Sequence, residues 1–175
     1  MARPKPSPPN SSHSSTTSAC WGPTLVAAAT AALAAAASLA LTLPVWAMFV
    51  GWIAFFTRVQ DTRTSVENLV CIGLGMVIGL LASLAIPQMA ANFCLGVGLP
   101  IVVFVVALVV VGLRGLPVLN NLLGYFLGLV ARFAAHLDPL LESVVQLFTA
   151  SAVGSIAGWV SHNLPQHIPL PASVT

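Results

Sequence analysis

Apolar residues fill the chain in long blocks, and short polar stations between the blocks carry nearly all of its charge. Between Lys5 and Arg58 lie 52 uncharged residues, and between Glu67 and Arg114 another 46, room for one to two membrane spans each. Blocks at about 23–43, 44–57, 68–86, 90–113, 117–133 and 139–161 predict six helices. They meet at Pro44, Pro87-Gln88, Arg114-Gly115-Leu116-Pro117 and Asp138-Pro139; proline suits a helix start because it has no N–H to satisfy there. A helix satisfies its own backbone polar groups in lipid, so the expected class is an all-α polytopic membrane protein. The second and fifth helices are short: at ~1.5 Å per residue, 44–57 covers only ~21 Å of a ~30 Å hydrocarbon core.

The order of residues suggests an internal repeat. Pro44-Val45 precedes Gly51-Trp52 by the same interval as Pro117-Val118 precedes Gly124-Tyr125, at an offset of 73. Further along, Arg58 pairs with Arg132, Glu67 with Glu142, Gly75 and Gly79 with Gly154 and Gly158, and Pro87-Gln88 with Pro165-Gln166, the offset drifting to 79. The repeats, about 23–88 and 90–166, hold three spans each. Three is odd, so the second would enter the membrane from the opposite side: an inverted repeat, an arrangement that in many transporters places a site near the bilayer midplane. A duplication kept only for packing is the alternative.

Composition narrows the function. The chain is 58% hydrophobic, and its ten charged residues, six basic and four acidic, are far too few for a water-soluble monomer. Scattered basic residues provide no stripe for nucleic acid. Cys20, Cys71 and Cys94 form neither a disulfide framework nor a metal motif, and the four histidines lack ligand spacing. No metal, cofactor or enzymatic chemistry is therefore expected. Residues 1–20, rich in Ser and Pro, read as a disordered tail; 21–163 read as one transmembrane domain, and 164–175 as a second flexible tail. With six crossings and both termini cytoplasmic, Arg3, Lys5, Arg58, Arg63 and Arg114 lie inside and only Arg132 outside, in keeping with the positive-inside rule. A plasma or bacterial inner membrane would be the setting.

Trp52 and Tyr125, with the neighbouring Gly51 and Gly124, lie ~12 Å along their helices, deep enough to form a constriction with Phe49 and Phe56; core or lipid-facing packing is the competing reading. Asn120 and Asn121, placed within the fifth helix, either bind solute or link helices by hydrogen bonds of about 0.6 kcal/mol. Glu67 and Glu142 suit helix starts better than a proton relay: Thr64-Ser65-Val66-Glu67 reads as a capping box and Asp138-Pro139 as an N-cap. Arg58 and Arg132 suit helix ends, or could draw anions into two vestibules. Gly75, Gly79, Gly154 and Gly158 recur every four residues as small faces for close helix packing.

Trp46-Ala47-x-Phe49-x-Gly51-x-x-Ala54-x-Phe56, with Gly154-x-Ile156-x-Gly158-Trp159 and Asn163, resembles the YcdZ-type family of small inner-membrane proteins of undefined function, over roughly residues 24–163. The alanine-rich, tailed form is also similar to algal low-CO2-inducible plasma-membrane proteins regarded as CO2 channels. These resemblances imply a small oligomer with a pore, such as a homo-trimer. The expected function is a channel for a small neutral solute, CO2 first. The alternatives are a proton- or ion-coupled transporter of a small anion such as bicarbonate, and a non-transporting membrane assembly subunit.

Overall fold

The computed structural model describes residues 21–167 apart from Val59, Gln60, Arg114 and Val118. Arg3, Lys5, Cys20, Arg114, Val118, the expected tail 1–20 and the part of the expected tail 164–175 beyond His167 lie outside the described residues. Six helices follow one another: α1 (Trp21–Ala40), α2 (Val45–Phe55), α3 (Thr62–Phe93), α4 (Leu95–Leu113), α5 (Leu122–Ala134) and α6 (Leu141–His167). α1, α3, α4 and α6 are long and apolar enough to cross a membrane. The chain is an all-α integral membrane protein. α2 and α5, of 11 and 13 residues, cover about 16 and 20 Å of a ~30 Å core.

Four helices build the centre. α2 packs most extensively on α6, and α3 on α5, while α1 lies against α6 and α4 against α3. The core where the central four meet contains Ala47, Ala54, Ile72, Met76, Ala131, Val144, Leu147 and Ala150. Half of these are alanine, because the backbones nearly touch. A Cβ added at Gly51 would strike the Ser151 carbonyl, and one at Gly154 the Met48 carbonyl; at Gly75 it would strike the Tyr125 carbonyl, and at Gly128 the Ile72 carbonyl. Contacts rise together along both members of each pair, from Ala47–Ser151 to Phe55–Gly158 and from Asn68–Asn121 to Gly79–Arg132, so each pair runs parallel.

These contacts correspond between the two halves at a different register from the one the motifs suggest. Gly51 on Ser151 matches Gly128 on Ile72, Gly154 on Met48 matches Gly75 on Tyr125, and Gly158 on Phe55 matches Gly79 on Arg132. The long helices keep the offset of 79. The short helices, however, correspond at 77 instead of 73, one helical turn away. The outer face follows: exposed Phe49, Ile53 and Phe56 answer to exposed Phe126, Val130 and Phe133. The proline and glycine landmarks misled the pairing because Pro44 abuts α2, whereas Pro117 stands five residues before α5.

Other boundaries move for local reasons. Pro87 lies inside α3 instead of ending it, and the break comes at Cys94, where φ is 61°. Proline forfeits one backbone hydrogen bond, which a membrane helix packed among others tolerates. α5 begins at Leu122 because the Asn121 side chain accepts the Gly124 N–H at 3.1 Å, so Asn120 and Asn121 precede the helix. α6 begins at Leu141 and not at Asp138-Pro139: the Asp138 carbonyl is held in the connection by Arg132, Leu140 and Ser143. The Thr64–Glu67 box forms no cap, because α3 already starts at Thr62 behind Asp61. α6 also runs to His167, past the expected domain end at 163.

Gly154→Leu is expected to abolish monodisperse folded protein in detergent, since the colliding Met48 carbonyl belongs to the backbone. Gly112→Ala, with nothing within 4 Å of its Cβ, should leave the midpoint of thermal unfolding unchanged.

Candidate functional site

The two close-packed seams differ in chemistry. Along α2–α6, Ser151 donates to the Ala47 carbonyl and Ser155 to the Gly51 carbonyl, both at 3.1 Å, so these hydroxyls fasten one helix to the other. Along α3–α5 the polar groups are larger and more varied. Near one end, the buried Asn121 donates to Asn68 Oδ1 at 2.7 Å and to Thr57 Oγ1 at 3.2 Å, while Asn68 donates to the Ala54 carbonyl at 3.0 Å. This node joins the end of α2 and the starts of α3 and α5. Asn68 was absent from the sequence reading, yet it falls three residues before Cys71, on the small-residue face that continues through Gly75 and Gly79.

At the same end, Glu67 takes Arg63 Nε at 3.1 Å and Arg58 Nη1 at 3.5 Å. Near the opposite end, Arg132 is 2% exposed and spends its guanidinium on the carbonyls of Leu137 and Asp138, both at 3.1 Å. Its Nε is buried without a partner, and no carboxylate among the described residues lies within ion-pair distance. Arg58 and Arg132 thus occupy different settings, one in an ion pair and the other beneath a connection. Glu142 is exposed in the first turn of α6.

Trp52 and Tyr125 also have different surroundings. Trp52 is half-buried, its ring 6.2 Å from that of Phe56, which like Phe49 is on the exposed side of α2. Tyr125 is wholly buried with Cys71, Val110 and Leu129, and Val106 packs against them. Its buried hydroxyl has the Cys71 thiol as its polar neighbour. The Ser38 hydroxyl, on the buried face of α1, has no hydrogen-bond partner. Gly124 fits against Cys71, and Asn120 is exposed. Gly51, Gly75, Gly79, Gly154 and Gly158 all serve interhelical approach.

Clefts lie where the outer helices leave the central four. One of 360 Å³ lies among α3, α4 and α5, between Ala82 and Ile86, Val102 to Val110, and Phe126 to Ala134. Every lining residue is apolar. α4 rests mainly on α3 and touches α5 sparingly, which leaves this cleft open. In the other half the position of Leu129 is held by Trp52, whose indole is far bulkier. A second cleft, 240 Å³, lies beside Thr42, Trp46, Leu137 and Gln146, where Gln146 donates to the Thr42 carbonyl at 3.3 Å.

Residues 24–166 match a family described as protein of unknown function (DUF1097). The chain belongs to that family. The DUF1097 match covers both close-packed seams and all but the outer ends of α1 and α6. No curated protein and no solved structure matches the chain. Among the described residues no cluster of His, Cys, Asp or Glu is arranged to hold a metal ion.

Asn121→Ala should destabilise the fold by about 1–3 kcal/mol, because it removes the α5 cap and leaves buried Asn68 short of a partner. Denaturation in detergent, with Asn68→Ala and the double variant closing the cycle, should give a coupling of at least ~0.5 kcal/mol.

Arg132→Met keeps much of the side-chain length but loses both carbonyl bonds. It should therefore make the 135–140 connection more susceptible to limited proteolysis, with wild-type resistance not recovered in Arg132→Lys.

Proposed function

We propose that this protein is a membrane facilitator for a small neutral solute, with CO2 the first substrate to test. The observation that carries this reading is the 360 Å³ cleft without a single polar lining residue, beside the α3–α5 pair of helices. An ion would find no counter-charge or hydration substitute there, whereas an uncharged molecule leaves water at little cost.

The halves are related as an inverted repeat in this account. Support comes from the matching glycine contacts and from the parallel course of α2 with α6 and α3 with α5, which follows if each helix reverses the direction of the one before. The site then lies in a symmetric scaffold whose second half has Leu129 where the first has Trp52. Both termini are cytoplasmic in a plasma or inner membrane. Copies assemble, a trimer being the order to examine, through the exposed apolar faces of the short helices. Ion-coupled transport of an anion would need Glu67 to exchange partners during a cycle; its two arginine contacts suit a fixed anchor better.

Purified protein in sterol-rich vesicles containing trapped carbonic anhydrase should accelerate CO2-driven internal acidification in stopped-flow fluorescence. Leu129→Trp, which puts an indole in place of leucine in the wall of the cleft, should reduce that acceleration. Rates equal to those of protein-free vesicles would contradict CO2 facilitation.

A further inference from the structure

The outer face of α6 carries two grooves, one on each side of Ile156. Between α6 and α3 lies one of 200 Å³, with Ser65, Val66 and Leu69 on one wall and Ala152 and Trp159 on the other. Between α6 and α1 lies one of 350 Å³, bounded by Leu33, Ala37, Val153 and Val160. Both grooves follow the same turns of α6. Ile156 belongs to each and is 63% exposed, so it stands as a ridge between them. The first groove begins at Thr62, where the Trp159 indole N–H donates to Thr62 Oγ1 at 3.1 Å. Tryptophan favours the headgroup boundary of a bilayer, which sets the level of this end.

In the other half the protein itself occupies the corresponding place. At the offset of 79 that relates the long helices, Leu69 answers to Phe148 and Ala152 to Gly73, and the Phe148 ring lies 2.9 Å from where a Gly73 Cβ would stand. Ser65 and Trp159 stand where that half has Val144 and Leu80. One half fills the position with a ring; the other leaves it open and adds polar groups. Ser65 lines the groove, and its Oγ is buried without a hydrogen-bond partner. That hydroxyl hangs on a single rotatable bond.

We propose that the two grooves hold one glycerophospholipid, with an acyl chain on each side of Ile156 and the glycerol level with Ser65, whose hydroxyl donates to an ester carbonyl. The paired grooves select this occupant. A packed helix, about 10 Å across, would rest on Ile156 and leave both grooves empty, whereas an acyl chain is narrow enough to enter each. Arg63 is exposed beside Thr62, within reach of the phosphate, but it is paired with Glu67 at 3.1 Å. Arg58 and Arg63 are balanced by Asp61 and Glu67 at the start of α3, so the site recognises two chains and not an acidic headgroup. This site stands independently of the facilitator reading.

The test is native mass spectrometry of the purified full chain in detergent, titrated with dioleoyl phosphatidylcholine and, separately, with its single-chain lyso form. Wild type should take up one diacyl molecule per chain before any further adduct, about tenfold more tightly than the lyso form. Leu69→Phe copies the ring of the other half, and Ala37→Leu narrows the second groove from an exposed position on α1. Each should weaken the first adduct about tenfold. Ser65→Val should weaken it about fivefold, as expected for loss of one hydrogen bond. Unfolding midpoints of all three variants in lipid-free detergent should equal that of wild type, which separates loss of the site from loss of the fold. The proposal is overturned by adducts with no preferred first molecule, by equal affinity for the diacyl and lyso forms, or by undiminished binding in both groove variants. A change of oligomer mass in Leu69→Phe with the adduct retained would also overturn it and assign this face to a second copy of the chain.

Discussion

Backbone approach through glycine governs this molecule. In lipid, helices gain no hydrophobic advantage by associating, so their contact rests on dispersion and a few hydrogen bonds, both of which fall off steeply with distance. Gly51, Gly75, Gly128 and Gly154 let two pairs of helices come so close that a single Cβ would collide with backbone. Much else follows from that approach. Serine hydroxyls on α6 reach the carbonyls of α2, Asn121 reaches Asn68, and the short helices α2 and α5 are held along their length although neither is long enough to cross a bilayer unaided.

The same constraint explains where polar chemistry survives. Close-packed seams exclude lipid and water, so polar atoms within them must be paired by the protein. Asn68, Asn121, Ser151 and Ser155 are paired, the Tyr125 hydroxyl has the Cys71 thiol beside it, and Arg132 Nε is unpaired. Arg132 has an evident structural task in tying down the connection between α5 and α6. Tyr125 is buried against Cys71, Val110 and Leu129, and the last two line the 360 Å³ apolar cleft. The halves share a scaffold but differ at this point: Met48, Trp52 and Ala150 of the first seam give way to Tyr125, Leu129 and Cys71 in the second. Exchange of a large indole for leucine opens volume, and exchange of a thioether for a phenol supplies a donor.

Much of the fold was legible in the sequence because long uncharged runs and a scarcity of charge leave few options other than membrane helices. Six elements, the short second and fifth helices, and the small-residue faces of α3 and α6 are all readable from spacing. Boundaries were less so. Proline marks positions where a backbone N–H is missing, but Pro87 is absorbed within α3, and it is Asn121 rather than Pro117 that starts α5. Register suffered for the same reason: Phe49-x-Gly51-x-x-Ala54-x-Phe56 matches Phe126-x-Gly128-x-x-Ala131-x-Phe133 in every named residue, yet the proline landmarks point one turn away. Asn68 escaped notice because one amide beside a charged station looks like part of a loop; its role depends on Asn121, 53 residues later.

In the proposed topology six helices cross in alternation, the two short helices completing their crossings despite their length. Cysteines introduced singly at Thr42, Leu137, Asp61 and Leu116, in a background lacking Cys20, Cys71 and Cys94, can be labelled in oriented membrane vesicles with an impermeant maleimide. Labelling of 42 and 137 from one side, and of 61 and 116 from the other, is the predicted result. Labelling of all four from the same side would mean that α2 and α5 enter and leave by one face, and would contradict the account.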